Sequence, residues 1–134
     1  MNNILLALIA FMVSTSAMAS TEHYIRKDGN HVQHLKITQV GDDLSGSMDV
    51  NFEPNGTTEA DRKPCAAEVS GDAKKTGENE ITIKKQIEGE TKHCALKVHL
   101  SNDGAKVEQS PECGYFVAGI CHFDSEGKEL TKIK

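Results

Sequence analysis

CALKVHL, the stretch from Cys94 to Leu100, carries an apolar residue at every second position and a polar or small residue between. Successive side chains of a β-strand point to opposite faces, so this alternation predicts a strand with one buried and one solvated face. The stretch from Leu44 to Phe52 and the stretch from Cys65 to Gly71 alternate in the same way. Helical periodicity is not prominent in this part of the chain. The dominant pattern therefore predicts an all-β fold.

Further candidate strands and turns extend this pattern along the chain. A less regular run covers residues 81–87, and weaker candidates cover residues 23–27, 32–40, 106–109, 116–123 and 129–133. Short segments rich in Gly, Asn and Asp separate these candidate strands, as tight turns require. The segments lie at residues 28–30, 41–43, 55–56, 71–72, 103–104 and 126–127. We expect an antiparallel β-sandwich or small barrel of about eight strands. Residues 60–70 could instead form one short helix.

The N-terminus has the features of a signal peptide. Residues 4–13 read ILLALIAFMV, an uncharged apolar run that is too short to cross a bilayer but typical of a secretion signal. Ala17-Met18-Ala19 follows and matches the small-x-small cleavage rule. We expect residues 1–19 to be a signal peptide that is cleaved after Ala19, residues 20–134 to form a single domain, and the protein to reach the periplasm.

Composition limits the partners of the domain. All 15 basic and 20 acidic residues of the 134-residue chain lie after residue 19, which gives the domain a formal net charge of −5. Nucleic acids and anionic membrane surfaces require a basic footprint, so neither is an expected partner. No segment after residue 19 is apolar enough to span a membrane. Tryptophan is absent, which argues against a large aromatic platform for sugars.

Four cysteines, Cys65, Cys94, Cys113 and Cys121, lie in the predicted domain. An even number in a small exported domain predicts two disulfides, for which three pairings exist. In a simple meander, the loops at residues 54–64, 88–92 and 109–115 share one end of the domain. Cys65 and Cys94 each begin a strand after such a loop, which favours the Cys65–Cys94 pairing. Cys113–Cys121 is then the second disulfide and requires the chain to reverse between them.

The sequence contains no recognisable catalytic set. The six histidines are scattered. His31 and His34 are three positions apart, which places them together on a helix but on opposite faces of a strand. No Gly-x-Ser-x-Gly motif is present, and the spacing of carboxylates alone does not identify an acid–base pair. We therefore expect a non-enzymatic protein with no catalytic residue, no metal ligand and no cofactor.

One segment resembles a known family. SPECGYFVAG at residues 110–119, followed by CHFD at residues 121–124, is similar to the C-terminal half of small secreted lysozyme-inhibitor-like domains. Cys113 replaces the serine that those domains carry before the glycine. The resemblance implies an all-β, disulfide-bonded periplasmic protein that inserts a loop into the cleft of a muramidase. It implies partner-binding roles for Ser110, Glu112, Gly114 and Tyr115.

These observations lead to two functional hypotheses. The first is a protein that inhibits a peptidoglycan hydrolase, either as a lysozyme inhibitor or as an immunity protein against a type VI secretion muramidase. The net charge of −5 suits a basic enzyme, because complementary charge accelerates association. The second is a non-catalytic structural or small-ligand-binding module of the envelope. Exposed edge strands also make a homodimer an expectation.

Overall fold

The computed structural model describes residues 19–54, 64–117 and 120–133. Within them, eight strands form a closed antiparallel barrel in which each strand pairs with its neighbours in sequence and β1 pairs with β8. The predicted all-β fold of about eight strands is therefore confirmed, in its barrel form. The strands are β1 (Ala19–Asp28), β2 (His31–Val40), β3 (Asp43–Phe52), β4 (Cys65–Gly77), β5 (Glu80–Gln86), β6 (His93–Leu100), β7 (Gly104–Gln109) and β8 (Leu130–Ile133).

The alternating residues of the sequence form the barrel interior. Leu96 and Val98 of β6 face inward and are at most 1% exposed, and Met48 of β3 is fully buried. Each inward position lies opposite an inward position on the neighbouring strand, as in the pairs Leu35–Met48 and Val98–Val107. Side chains therefore fill the middle of the barrel, which is the usual interior of a closed sheet of eight strands.

The connections divide the barrel into two different ends. The open end carries the short turns after β2, β4 and β6 and the start of β1. The loop end carries the turn after β1 and the connections after β3, β5 and β7. The three loops that the meander places together thus do share one end, although residues 55–63 of the first lie outside the described residues.

A closing segment, which the structure describes at residues 116–117 and 120–129, covers the loop end of the interior between β7 and β8. Phe123 and Ser125 in this segment are completely buried. The Phe123 amide donates to Gln109 Oε1 at 2.7 Å, and the Ser125 amide donates to the Val107 carbonyl at 2.8 Å. The described part of this segment is mostly irregular, so the weak strand prediction for residues 116–123 is wrong there.

The disulfides are Cys65–Cys121 and Cys94–Cys113. The predicted pairing of Cys65 with Cys94 and of Cys113 with Cys121 is therefore wrong. The stagger of the strands separates Cys65 from Cys94. Cys94 is level with Lys85 of β5, whose neighbour Lys84 pairs with Asp72 of β4. Cys65 lies seven residues before Asp72, which is a distance of about 23 Å along a strand.

Each cysteine instead meets a part of the chain that follows β7. A 3-10 helix, Pro111–Tyr115, folds back over β6 and brings Cys113 to Cys94, with a Cα–Cα distance of 4.4 Å. The closing segment then crosses the loop end and brings Cys121 to Cys65, with a Cα–Cα distance of 6.0 Å. Both disulfides therefore attach the connection between β7 and β8 to the barrel.

Strand β4 is longer than the sequence indicated. Residues 65–70 are strand rather than helix, and the turn predicted at Gly71 and Asp72 lies inside β4. The backbone explains why glycine occurs there: a Cβ on Gly71 would collide with the Lys84 carbonyl oxygen of β5. Gly71 thus permits close contact between strands rather than a reversal of the chain.

Residues 1–18, which contain almost all of the predicted signal peptide, lie outside the described residues. Among the residues that the structure describes, no helix has the length and apolar character needed to cross a membrane. Within the described barrel every strand has a partner on both sides, and β8 pairs with three residues of β1 and two of β7. The expected homodimer stays a prediction.

Candidate functional site

The 3-10 helix at the loop end presents the residues that the sequence assigned to partner binding. It begins after Ser110, whose hydroxyl oxygen accepts a hydrogen bond from the Ala95 amide at 3.0 Å. The Ser110 amide in turn donates to the Ala95 carbonyl at 2.9 Å. With the Cys94–Cys113 disulfide, these bonds fix both the start and the middle of the helix to β6.

Tyr115 is the most exposed large apolar residue of the described chain, with 66% of its surface accessible. Its ring contacts the Phe116 ring edge to face, with centroids 5.2 Å apart. The two rings border a groove of about 490 Å³ whose other side is the end of β5 and the following turn. The groove is lined by Lys85, Gln86, Ile87, Glu88, Gly89, Tyr115 and Phe116.

Glu112 is a fixed negative charge on the same helix. Hydrogen bonds from its own backbone amide and from the Ser110 hydroxyl hold the pKa of this carboxyl below its usual value. The ionised carboxylate accepts these bonds, which is why they favour the charged form. Ser110 therefore fixes the start of the turn, whereas Gly114 and Tyr115 are the exposed residues of the group.

The structure brings all four predicted residues, Ser110, Glu112, Gly114 and Tyr115, onto one turn at the loop end. Gly114 has no atom within 4 Å of the position that a Cβ would occupy, so its surface is accessible to a partner. The sequence placed the loop at residues 88–92 at the same end as residues 109–115, but it did not identify residues 85–89 as the second wall of a groove. The turn-forming Gly89, which has a φ of 79°, was the available signal for a surface feature there.

The histidines occupy separate places on the barrel. His31 lies at the loop end of the interior, 6.1 Å from His122 and 6.3 Å from Phe52 between ring centroids. His34 lies on the outer face beside His23, so the prediction of opposite faces for His31 and His34 is confirmed. Within residues 19–54, 64–117 and 120–133, no group of three or more His, Cys, Asp or Glu residues is arranged to hold a metal ion.

The open end contains a cavity that the sequence did not predict. It has a volume of about 760 Å³, an apolar base and a polar rim. Ile37, Leu44, Ala73, Ile81 and Leu100 form the base, and Ser20, Glu22, Gln39, Asp42, Lys74, Lys75, Glu78 and Glu80 form the rest of the lining. Strands β1 to β6 each contribute one to three of these residues, and the turns after β2 and β4 contribute Asp42 and Glu78, so no contiguous motif marks the cavity.

A hydrogen-bonded group lies beside this open-end cavity. The Tyr24 hydroxyl donates to Glu22 Oε2 at 2.9 Å, and Lys132 Nζ donates to Glu22 Oε1 at 3.2 Å. The bond from Tyr24, assisted by Lys132, lowers the pKa of Glu22. Burial, together with the Glu22 carboxylate, raises the pKa of Tyr24 to about 12. At neutral pH the phenol of Tyr24 is therefore neutral and the carboxyl of Glu22 is ionised.

Comparisons of the chain with protein-family models, with curated proteins and with solved structures found no match.

Proposed function

We propose that this chain is an exported binding protein that inhibits a peptidoglycan-degrading glycosidase through its loop end. The observation that carries the proposal is the exposed ring of Tyr115 on a turn that a disulfide fixes to the barrel. A rigid aromatic side chain loses little conformational freedom on binding, and such residues are enriched among those that dominate interface energies. The enzyme class comes from the resemblance of residues 110–124 to lysozyme-inhibitor-like domains.

The proposal includes export to the periplasm. Two disulfides are consistent with an oxidising compartment, and the 110–129 connection depends on both of them. Expression of the full chain in a Gram-negative host, followed by fractionation and mass spectrometry, tests this part. The expected product is a periplasmic protein that begins at Ser20. An intact Met1 terminus in the cytoplasmic fraction contradicts it.

Inhibition of muramidases tests the main proposal. The purified protein is mixed with a panel of lysozymes and type VI muramidase effectors, and hydrolysis of peptidoglycan is followed by loss of turbidity. We expect stoichiometric inhibition of at least one enzyme and a complex on gel filtration. Inhibition of many lysozymes indicates a general inhibitor, whereas inhibition of one effector indicates an immunity protein. The proposal fails if no enzyme of either class is bound or inhibited.

Variants locate the contact surface. Tyr115→Ala removes the exposed ring, and Gly114→Gln adds bulk where the structure has free space. Both are expected to weaken inhibition at least about tenfold, which corresponds to the loss of a typical interface anchor. The matched control is Val40→Ala, because Val40 is 44% exposed at the opposite end of the barrel. Equal inhibition by all three variants removes the loop end from the interface.

The open-end cavity favours a second candidate function, the binding of a small ligand. Its volume of about 760 Å³ lies in the range of small-molecule sites, and it combines an apolar base with polar groups at the rim. Native mass spectrometry of the protein purified from the periplasm tests for a co-purified molecule. Leu44→Trp fills the base of the cavity and is expected to abolish that binding without affecting muramidase inhibition.

A further inference from the structure

Two imidazoles lie side by side on the outer face of the barrel. His23 of β1 and His34 of β2 approach each other with 3.1 Å between His23 Nδ1 and His34 Nε2, and their ring planes differ by 23°. Both side chains are half-buried. In the described structure these nitrogens share a hydrogen bond, with either ring as the donor according to its tautomer.

The separation of the two nitrogens suits coordination of one metal ion. Imidazole nitrogens bind Zn²⁺ at about 2.0–2.1 Å, so two of them on one ion lie about 2.9 Å apart at a right angle and about 3.4 Å apart at a tetrahedral angle. The observed 3.1 Å falls between these limits. Coordination requires both lone pairs to turn from the N–N line toward a common point, together with a change of tautomer in the donor ring.

The backbone holds this pair in place. Strands β1 and β2 are paired without interruption from Ala19–Val40 to Asp28–His31, which fixes the relative position of the two histidines. On their outer sides, His23 pairs with Ile133 of β8 and His34 pairs with Asp49 of β3. Both strands are therefore internal to the barrel wall. A site on paired strands is more precisely positioned than a site on a loop.

We propose that His23 and His34 bind a borderline divalent transition-metal ion such as Zn²⁺, with water in the remaining positions. Imidazole is a preferred ligand of Zn²⁺ and Cu²⁺, whereas Mg²⁺ and Ca²⁺ require oxygen ligands. Two nearby charges act in opposite directions. Asp49 lies opposite His34 and attracts the ion, while Lys36 lies opposite His23 and repels it. The site is independent of the proposed inhibition, since it lies on the barrel wall.

Calorimetric titration of ZnCl₂ into the tag-free, disulfide-bonded protein tests the proposal. One equivalent is expected to bind, and His23→Gln and His34→Gln are each expected to weaken binding at least about tenfold, since loss even of a ligand's hydrogen-bond partner costs about 10–100-fold in affinity. His99→Gln is the matched control, because His99 lies on the outer face between Glu80 and Glu108 and tests ordinary surface binding. Circular dichroism checks that each variant is folded.

Charge variants give a second test with opposite expected signs. Lys36→Gln is expected to tighten zinc binding about two- to threefold and Asp49→Asn to weaken it by a similar factor, because each charge acts across a few ångströms of solvent. In NMR spectra, zinc is expected to shift the imidazole resonances of His23 and His34 and to leave those of His99 unchanged. The proposal is overturned if zinc does not bind, or if binding survives in His23→Gln and His34→Gln or is lost in His99→Gln.

Discussion

The Gln33 side chain donates a hydrogen bond from Nε2 to the Asp124 carbonyl oxygen at 2.9 Å, and the two residues are 91 positions apart in sequence. The same amide donates to the His122 carbonyl at 3.3 Å, while Gln33 Oε1 accepts from Arg26 at 3.3 Å. Gln33 is completely buried. One interior amide thus connects β1, β2 and the closing segment.

Gln33→Leu is expected to lower the free energy of unfolding by about 1–3 kcal/mol, because it removes one hydrogen bond each from the His122 carbonyl, the Asp124 carbonyl and the Arg26 guanidinium. Urea denaturation measures the loss. Gln39→Leu is the matched control, since Gln39 lies on the same strand and face but is exposed at the open end. We expect that control to change stability by less than about 0.5 kcal/mol. Equal effects of the two variants contradict the structural role of Gln33.

The two disulfides are expected to contribute unequally to stability. Cys65–Cys121 spans 56 residues and Cys94–Cys113 spans 19. In the chain-entropy model, these loops correspond to about 4 and about 3 kcal/mol. Urea denaturation of the two double Cys→Ala variants tests this order. Mass spectrometry of proteolytic peptides under non-reducing conditions tests the connectivity, and a peptide that links Cys65 to Cys94 contradicts it.

Two inward-facing glycines, Gly46 and Gly71, pair with each other across β3 and β4. A Cβ on Gly71 would collide with backbone atoms of Lys84, whereas a Cβ on Gly46 would collide with the Ile83 side chain, whose Cγ1 lies at 2.7 Å. Gly71→Ala should therefore be the more destabilising change, since a side chain can rotate away and a strand cannot. For Gly46→Ala we expect a loss of about 1–3 kcal/mol, as for other overpacked cores. Ile83→Val should partly restore the stability of Gly46→Ala and should not help Gly71→Ala.

Tyr24 provides a test at alkaline pH. The chain has two tyrosines, so in Tyr115→Phe the phenolate absorbance reports Tyr24 alone. We expect a midpoint near pH 12, since burial and the Glu22 carboxylate raise its pKa to about 12. A raised pKa means that the unfolded state loses its proton first. The corresponding stabilisation is therefore complete below about pH 10 and is lost between about pH 10 and 12. A midpoint at the value of a free tyrosine contradicts the Tyr24–Glu22 contact.

His31 is expected to make stability depend on pH in the acidic range. Burial and the nearby His122 and Arg26 lower its pKa, and the smaller effects of Asp28 and Glu126 oppose them. A lowered pKa means that the unfolded state binds the proton first. The free energy of unfolding should then fall as the pH decreases below about 6.5. His31→Gln should reduce this slope in urea titrations between pH 7 and 5. An unchanged slope assigns the dependence to other groups.

Local pattern explains why the strands could be predicted and the disulfides could not. Every second side chain of a strand faces the interior and is apolar, so the alternation at residues 94–100 and 44–52 indicates both the strand and its buried face. Disulfide pairing depends instead on the stagger between strands and on the path of the closing segment. The residues next to Cys65 and Cys121 in the sequence therefore do not indicate that these two cysteines form a disulfide.

The candidate site was predictable in part for the same reason. Ser110, Glu112, Gly114 and Tyr115 are contiguous, so a sequence resemblance could mark them as a group. The opposite wall of the groove at residues 85–89 and the open-end cavity are assembled from different strands. The distance between His23 and His34 likewise depends on the register of β1 against β2, which the sequence alone does not specify.

The pairing of β1 with β8 has a consequence for folding kinetics. His23 lies opposite Ile133, so the contact that closes the barrel joins opposite ends of the described chain. Contacts with such large sequence separation raise the contact order, and folding slows as contact order increases. The final four-residue strand is therefore needed before the sheet can close. As long as Leu130–Ile133 is not yet available for pairing, the chain should remain an open sheet. The unpaired edge of β1 should then be accessible to chaperones.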